Sequence, residues 1–309
     1  MNREVRRLAA LAALVLAIAM GASCAAPATS VAEGAGAAAG VGAAADAPSL
    51  RVMTFNVRYG TAPDGENAWP HRSALVLRVI EHFDPTVLGV QEALRFQLDE
   101  LRAAMDSPGV VGVGRDDGEE AGEYSAILYD RSRLTLLDQG TFWLSDTPAV
   151  PGSMTWGNRY PRIVTWARFR DTAADASFYV LNTHWDHESQ NARRRSARQI
   201  LAWIGAHAAG APLIVMGDFN AGEQNPAFLA LIEPAGRGVR LRDTFRTVHP
   251  RADSVGTYHA FTGARSGEKI DAVVASPAWR VLGAAIATTH EDGRYPSDHF
   301  PVTATLRWR

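Results

Sequence analysis

Cysteine is all but missing from this chain. Of 309 residues only Cys24 carries a thiol, so no internal disulfide can form, and no closed Cys/His zinc cluster is found in the sequence. An excess of basic charge is missing too. The formal charge is −2, and removing the +2 of residues 1–23 leaves −4 (−2 − 2) for the remainder. A duplex nucleic-acid binder shows a basic face and a high pI. The pI here is about 6.5, so net charge does not steer the chain toward polyanions. No G-x-S-x-G elbow and no short internal repeat are found.

The longest early apolar run, Leu8 to Met20, is too short for a firm transmembrane helix. It follows MNREVRR and precedes GASCAA, the order of a signal peptide's three regions. Residues 1–23 are therefore read as a signal peptide, with a single-pass anchor as the competing reading. GASC resembles a bacterial lipobox, although Gly21 stands where that pattern usually has Leu. Lipidation of Cys24 and plain cleavage among the neighbouring alanines both stay open. Residues 24–49 are mostly Ala, Gly, Pro, Ser, Thr and Val, with little to bury, and read as a disordered tether. The expected location is outside the cytoplasm, secreted or lipid-anchored. The remaining residues 50–309, within a chain of 47% hydrophobic residues, suffice for one large core.

The most informative stretch is PLIVMGDFNAGEQN, residues 212–225. An apolar strand is expected to run to Met216, Gly217 to allow a tight turn, and Asp218 and Asn220 to follow at its carboxyl end. LRVMTFNV reads as a strand ending in Asn56, and TVLGVQE as a buried strand ending in Glu92. Helical spacing is present over His71 to Phe83, Leu94 to Met105 and Ser189 to His207. Arg193, Arg194, Arg195 and Arg198 fall on the first half of the last of these and are expected on a solvated face. The acidic, Gly-rich GVGRDDGEEAGE lacks EF-hand spacing and is expected to be a solvated loop. Tyr124 to Tyr129 and Leu134 to Gln139 look like paired strands. IVTWARFR and SFYVLNTHW suit an antiparallel pair, and Asp243 to Pro250 reads as a connection. KIDAVVAS is a strand opening with Asp271, and GRYPSDHF lies between two final strands.

The position of the polar residues carries the argument. Separate strands end in, or lead into, Asn56, Glu92, His184, Asp218 with Asn220, and Asp298 with His299, while Asp271 opens another. Each alone has a bland explanation as a turn, an ion pair or a core histidine. Their joint arrival at strand ends points to one site.

The ordered motifs TFNVRYG, GVQE, NTHWD, GDFN, KIDAVVAS and SDHFPV resemble the endonuclease/exonuclease/phosphatase superfamily related to DNase I, from about Leu50 to Arg309. That resemblance implies a four-layered α/β sandwich, two mixed β-sheets packed face to face with helices outside. It also implies a metal-dependent phosphoric ester hydrolase using Mg²⁺, with Mn²⁺ as an alternative. In this reading Glu92 is the principal metal ligand, with Asn56 and Asp298 beside it. Asp218 activates water, His184 and Asn220 hold phosphate oxygens, and His299 pairs with Asp271. Arg58, Arg162, Asn220, His184 and Trp69 are taken as substrate contacts. Arg58 stands where several repair nucleases of the superfamily carry an acid, which puts a second carboxylate there in doubt. Trp69, Trp143 and Trp156 are candidates for stacking on a base or sugar. The implied partner is a phosphate ester. No obligate protein partner is inferred, the chain reads as a monomer, and membrane attachment would run through lipidated Cys24. Alternative readings are a nuclease for single strands or nucleotides, a sphingomyelin or phosphoinositide phosphodiesterase, and a non-catalytic binding protein.

Overall fold

The computed structural model describes residues 49–233 and 238–309. The expected signal segment, Cys24 and the tether up to residue 48 lie outside the described residues. The chain opens with β1 (Leu50–Asn56) and crosses through α1 (Trp69–Phe83) to β2 (Val87–Gln91). After α2 (Arg95–Leu101) come β3 (Pro108–Val111) and β4 (Ile127–Asp130). A meander follows, formed by β5 (Leu134–Trp143), β6 (Ile163–Asp171) and β7 (Ala176–His184). Next, α3 (Gln190–His207) crosses to β8 (Leu213–Asp218). Then α4 (Pro226–Ile232), β9 (Arg242–Asp243) and α5 (Thr244–Val248) lead to β10 (Asp271–Ala275). β11 (Trp279–Ile286) and β12 (Val302–Trp308) complete the described elements.

The strands form two mixed sheets, in the orders β11-β12-β1-β2-β4-β3 and β5-β6-β7-β8-β10-β9. Each sheet has one parallel pair, β1 with β2 and β7 with β8. A parallel pair needs a long crossover, which α1 and α3 supply. The expected pairing of Leu134 to Gln139 with the strand before it does not occur. β4 pairs with β2 and β3, whereas β5 pairs with β6 in the other sheet. Alternation shows that a segment is a strand but not which edge it joins. The segment Asp243 to Pro250 is also more ordered than a connection: Asp243 Oδ1 accepts from Phe245 N (2.9 Å) and Arg246 N (3.3 Å), capping α5.

Period-two alternation sorts these strands into layers. On β1, Met53 and Phe55 pack with Leu75, Val76 and Ile80 of α1. Leu50 and Val52 face the other way, toward Phe178, Val180, Ile214 and Met216 of the second sheet. Behind that sheet, Leu181, Leu213 and Val215 pack against Ile200 and Ile204 of α3. The result is helices, sheet, sheet, helices. Each fully buried Leu, Val or Phe contributes about 1.5–3 kcal/mol.

Local signals set the helix ends. Ser189 Oγ caps α3 by accepting from Ala192 N, at 3.1 Å. Arg194, Arg195 and Arg198 are exposed on that helix, as charge on a polar face requires, while Arg193 is half-buried. Pro70 sits in the first turn of α1, and Asp84 ends that helix in the left-handed region, at φ 49°.

Candidate active site

Along the faces that meet between the sheets, side chains turn polar toward one end. β1 reads Leu50, Val52, Thr54, Asn56, and β7 reads Phe178, Val180, Asn182, His184. β8 reads Ile214, Met216, Asp218, while β10 enters the same face with Asp271. One step below the end lies a buried polar bridge between the sheets. Gln91 Nε2 donates to Asn182 Oδ1 (2.7 Å) and to Thr54 Oγ1 (3.0 Å). Asn182 Nδ2 donates to the carbonyls of Val90 (2.9 Å) and Ala126 (2.8 Å). Neither residue stood among the sequence candidates. Polar residues in otherwise apolar alternation were the available signal.

At the open end of the sandwich is a cleft of about 640 Å³. Glu92, His184, Asp218, Asn220, Asp298 and His299 line it, together with Arg58 and Arg162. Asp218 is its hub. Asn56 Nδ2 donates to Asp218 Oδ2 (3.0 Å) and also to Glu92 Oε1 (3.0 Å). His184 Nε2 and His299 Nε2 approach Asp218 Oδ2 at 3.5 and 3.8 Å. Asn220 N donates to Asp218 Oδ1 at 2.9 Å. Behind this group, His299 Nδ1 is 2.9 Å from Asp271 Oδ2. Antiparallel pairing of β8 with β10 puts Asp271 directly across from Asp218.

The backbone is bent to aim these groups. Arg58 (φ 58°), Glu92 (φ 62°) and Asn220 (φ 45°) all occupy the left-handed region, which costs about 1 kcal/mol or more for a residue with a Cβ. Gly217 is not a turn residue but lies inside β8 at φ 148°. A Cβ there would meet the Thr183 carbonyl oxygen at 2.0 Å, so only glycine lets β7 and β8 approach.

The loops before β12 are held from behind by Arg72 on α1, a side chain 1% exposed. Its guanidinium donates to the carbonyls of Asn67 (2.8 Å), Val57 (2.7 Å), Pro296 (2.9 Å) and Arg58 (3.0 Å). One side chain thus joins the loop after β1 to the loop carrying Asp298.

Several sequence expectations need correction. Trp69 does not reach the cleft: it is buried in the core under the first sheet, with Nε1 on Glu100 (3.0 Å). Trp143 and Trp156 are also buried, with Nε1 donating to the Arg115 carbonyl (2.7 Å) and to Asp146 (2.8 Å). Large indole surfaces are better removed from water than left on loops. The aromatics at the cleft are Tyr59, Tyr160 and Tyr258. Asn56 turns its NH₂ toward two carboxylates, while its Oδ1 accepts from Arg58 N (3.0 Å). It thus bridges Glu92 and Asp218. Arg58 is gripped by Asp64 through two bonds (2.9 and 3.0 Å) and stands 3.9 Å from Asp298. The acidic GVGRDDGEEAGE stretch is not simply solvated. Arg115 and Glu123 form a two-pronged ion pair (2.6 and 2.8 Å) at the cleft, because the loop folds back on itself.

Burial and neighbouring charge set the protonation of the group. Burial, with the negative charge of Asp271, pushes Asp218 up to about 7. Burial disfavours a charged His299, but Asp271 and Asp218 outweigh it and hold the imidazole well above its usual range. His184 is driven well below by burial and by the positive charges of Arg162 and Arg115. The carboxyl of Asp298 is raised by burial, with Glu92 adding repulsion. Asp218, Asp271 and His299 bring ligand-type atoms within 4.8 Å of one another.

A sequence model of the Endonuclease/Exonuclease/phosphatase family matches residues 53–299. A family protein of known structure from Bacteroides vulgatus is 32% identical, with a TM-score of 0.77, covering 84% of this chain and 99% of that one. A mannosyl-6-phosphatase from Bacteroides thetaiotaomicron is 30% identical, with a TM-score of 0.75, covering 84% of this chain and all of that one. Nocturnin from Drosophila melanogaster is 24% identical over 241 residues, covering 67% of this chain but only 35% of that protein.

Proposed function

The chain belongs to the endonuclease/exonuclease/phosphatase family, and from that premise we propose that it is an exported, Mg²⁺-dependent phosphoester hydrolase working by direct attack of water. Its family and neighbours are hydrolases of phosphoester bonds. The observation that carries the reading is the hub at Asp218, where Asn56, His184 and His299 converge on one carboxylate oxygen.

The residues present fit a hard divalent cation. Glu92 is half-buried at the cleft, with one hydrogen bond to each oxygen, from Asn56 Nδ2 (3.0 Å) and Tyr59 N (3.2 Å). Asp298 lines the same cleft, and repulsion from Glu92 would be relieved by a cation between them. Oxygen donors in small number suit Mg²⁺ or Mn²⁺. When bound, such an ion polarises a phosphoryl oxygen and stabilises the leaving oxygen.

The protein's own groups divide the remaining work. Asp218, raised to about 7, takes a proton from water near neutral pH. Charged His299 donates to a phosphoryl oxygen as negative charge builds, with Asp271 holding its far nitrogen. Neutral His184 and the Asn220 loop orient the phosphate. The likeness to a mannosyl-6-phosphatase makes a sugar phosphate monoester the first substrate class to try.

The test is a hydrolysis panel of p-nitrophenyl phosphate, hexose 6-phosphates, bis-p-nitrophenyl phosphate, short oligonucleotides and sphingomyelin. Activity should vanish with EDTA and return with Mg²⁺ or Mn²⁺. Full activity in EDTA with no residual bound metal sinks the proposal. Export rests on the signal-like residues 1–23. Mass spectrometry of the mature amino terminus separates lipidated Cys24 from simple secretion.

A further inference from the structure

Arg162 is 4% exposed, yet makes no ion pair among the described residues. Its Nη2 is 3.0 Å from His187 Nδ1. Its Nε and Nη1 are buried and have no partner. A buried guanidinium with donors left over is costly unless something anionic completes it. Asp186 acts on it through space without a bond to it: Oδ1 receives Glu188 N (3.1 Å) and Ser189 N (2.5 Å), and the buried Oδ2 has no partner.

Arg115 stands in the same cleft and is built into position. Its carbonyl is anchored by Trp143 Nε1 at 2.7 Å, and Glu123 holds its guanidinium. The ion pair spends Glu123 on Arg115 and leaves Arg162 free. The guanidinium of Arg162 stays charged, and its unpartnered Nε and Nη1 still offer N–H donors of the kind that pair with anionic phosphate oxygens.

A terminal phosphate carries a second ionisable oxygen, and a diester does not. We propose that Arg162, held beside the Arg115–Glu123 pair, is the specificity-determining residue that selects phosphate monoesters, its free N–H groups gripping that second anionic oxygen. The proposal rests on the hydrolase reading above and adds to it the substrate's charge state.

Two substrates with one leaving group test it, p-nitrophenyl phosphate and bis-p-nitrophenyl phosphate, both with Mg²⁺. Wild type should favour the monoester. Arg162→Gln should lower kcat/KM for the monoester about 100-fold further than for the diester, the scale of lost charge-assisted hydrogen bonds. Arg162→Lys should recover part of the monoester rate. Calorimetry with inorganic phosphate supplies a readout without turnover, and binding should weaken by about the same factor in Arg162→Gln. Equal losses on both esters, an unchanged monoester rate, or unchanged phosphate binding each overturn the proposal. If Arg162→Gln does not fold, Arg162→Lys and Arg115→Gln carry the same comparison. A wild type that turns over neither ester refutes the hydrolase reading instead, and phosphate calorimetry still decides what Arg162 holds.

Discussion

The two parallel β-α-β units, β1-α1-β2 and β7-α3-β8, have the same plan and deliver different chemistry. Each sends two side chains to the open end of the sandwich, Asn56 and Glu92 from the first, His184 and Asp218 from the second. The first unit leaves its carboxylate half-exposed and braces it with hydrogen bonds. In the second, the carboxylate is 1% exposed and faces two histidines. Partial hydration suits a group that takes up a cation, whereas desolvation suits one that must change protonation near neutral pH. The helices differ in the same way. On α1, Arg72 is buried and holds four carbonyls, while on α3 the half-buried Arg193 holds the Asp186 carbonyl and Gln190.

The largest effect should separate the two carboxylates. Asp218→Asn is expected to lower turnover by about two to four orders of magnitude, with little change in melting temperature. Added metal should not restore it. Glu92→Gln should also be severely impaired, but its activity should climb as Mg²⁺ is raised well above the wild-type requirement. In wild type, activity should fall as pH drops below about 7, because Asp218 becomes protonated. Metal titrations of both variants, with turnover and melting measured on the same samples, make the separation. Identical metal dependence in the two variants would erase the distinction between the units.

Next in size is the contrast between helices. Arg72→Met should cost about 3 kcal/mol, since burial leaves several carbonyls unpaired, and it should also slow turnover by loosening the loop to Asp298. Arg193→Met should cost about 1 kcal/mol or less and leave turnover nearly unchanged. Urea unfolding of both variants checks the ordering, and equal costs would count against Arg72 as the brace.

The bridge that joins the units comes third. Asn182→Leu removes the 2.7 Å acceptor of Gln91 and one buried donor from each of two backbone carbonyls, and should cost about 2 kcal/mol. If the bridge also sets the spacing of the two strand ends, turnover falls in the folded fraction. A variant as stable as wild type would show the sheets align without it.

The smallest effect concerns pH and stability behind the site. His259 stacks on Phe300 at 3.9 Å between centroids, and burial pushes its pKa down to about 4. The folded value lies below the unfolded one, so the unfolded chain binds more protons between about 4 and 6.5. Stability is therefore fully present above 6.5 and is lost as pH falls toward 4, by about 1–3 kcal/mol. Urea midpoints at pH 7.5 and 4.5 should differ more in wild type than in His259→Phe. An equal difference in both would assign the acid sensitivity elsewhere.

Much of this was legible in the chain because it is local. Buried apolar runs marked β2 and β8, a strand pattern marked β1, alternation marked β6 and β7, and α3 began at its serine cap. The polar residues at strand ends were visible as types in an order, and the ordered motifs placed the family and its layered sandwich. The tryptophans misled because a loop indole looks alike in sequence whether it faces ligand or core. Arg115, Glu123 and Arg162 carried no local signal that would join them, being up to 47 residues apart (162 − 115).

By itself the sequence determined the periods, the breaks and the chemistry available at each break, since those follow from neighbouring residues. Only the tertiary structure decided which breaks meet. Sheet order put β2 beside β1 and β10 beside β8, and left-handed turns at Glu92 and Asn220 aimed their side chains into one cleft. Burial then decided what the groups do there. An aspartate at a strand end is an ordinary acid in water, but at Asp218 the carboxyl is pushed up to about 7 because water is excluded and Asp271 lies across the ladder.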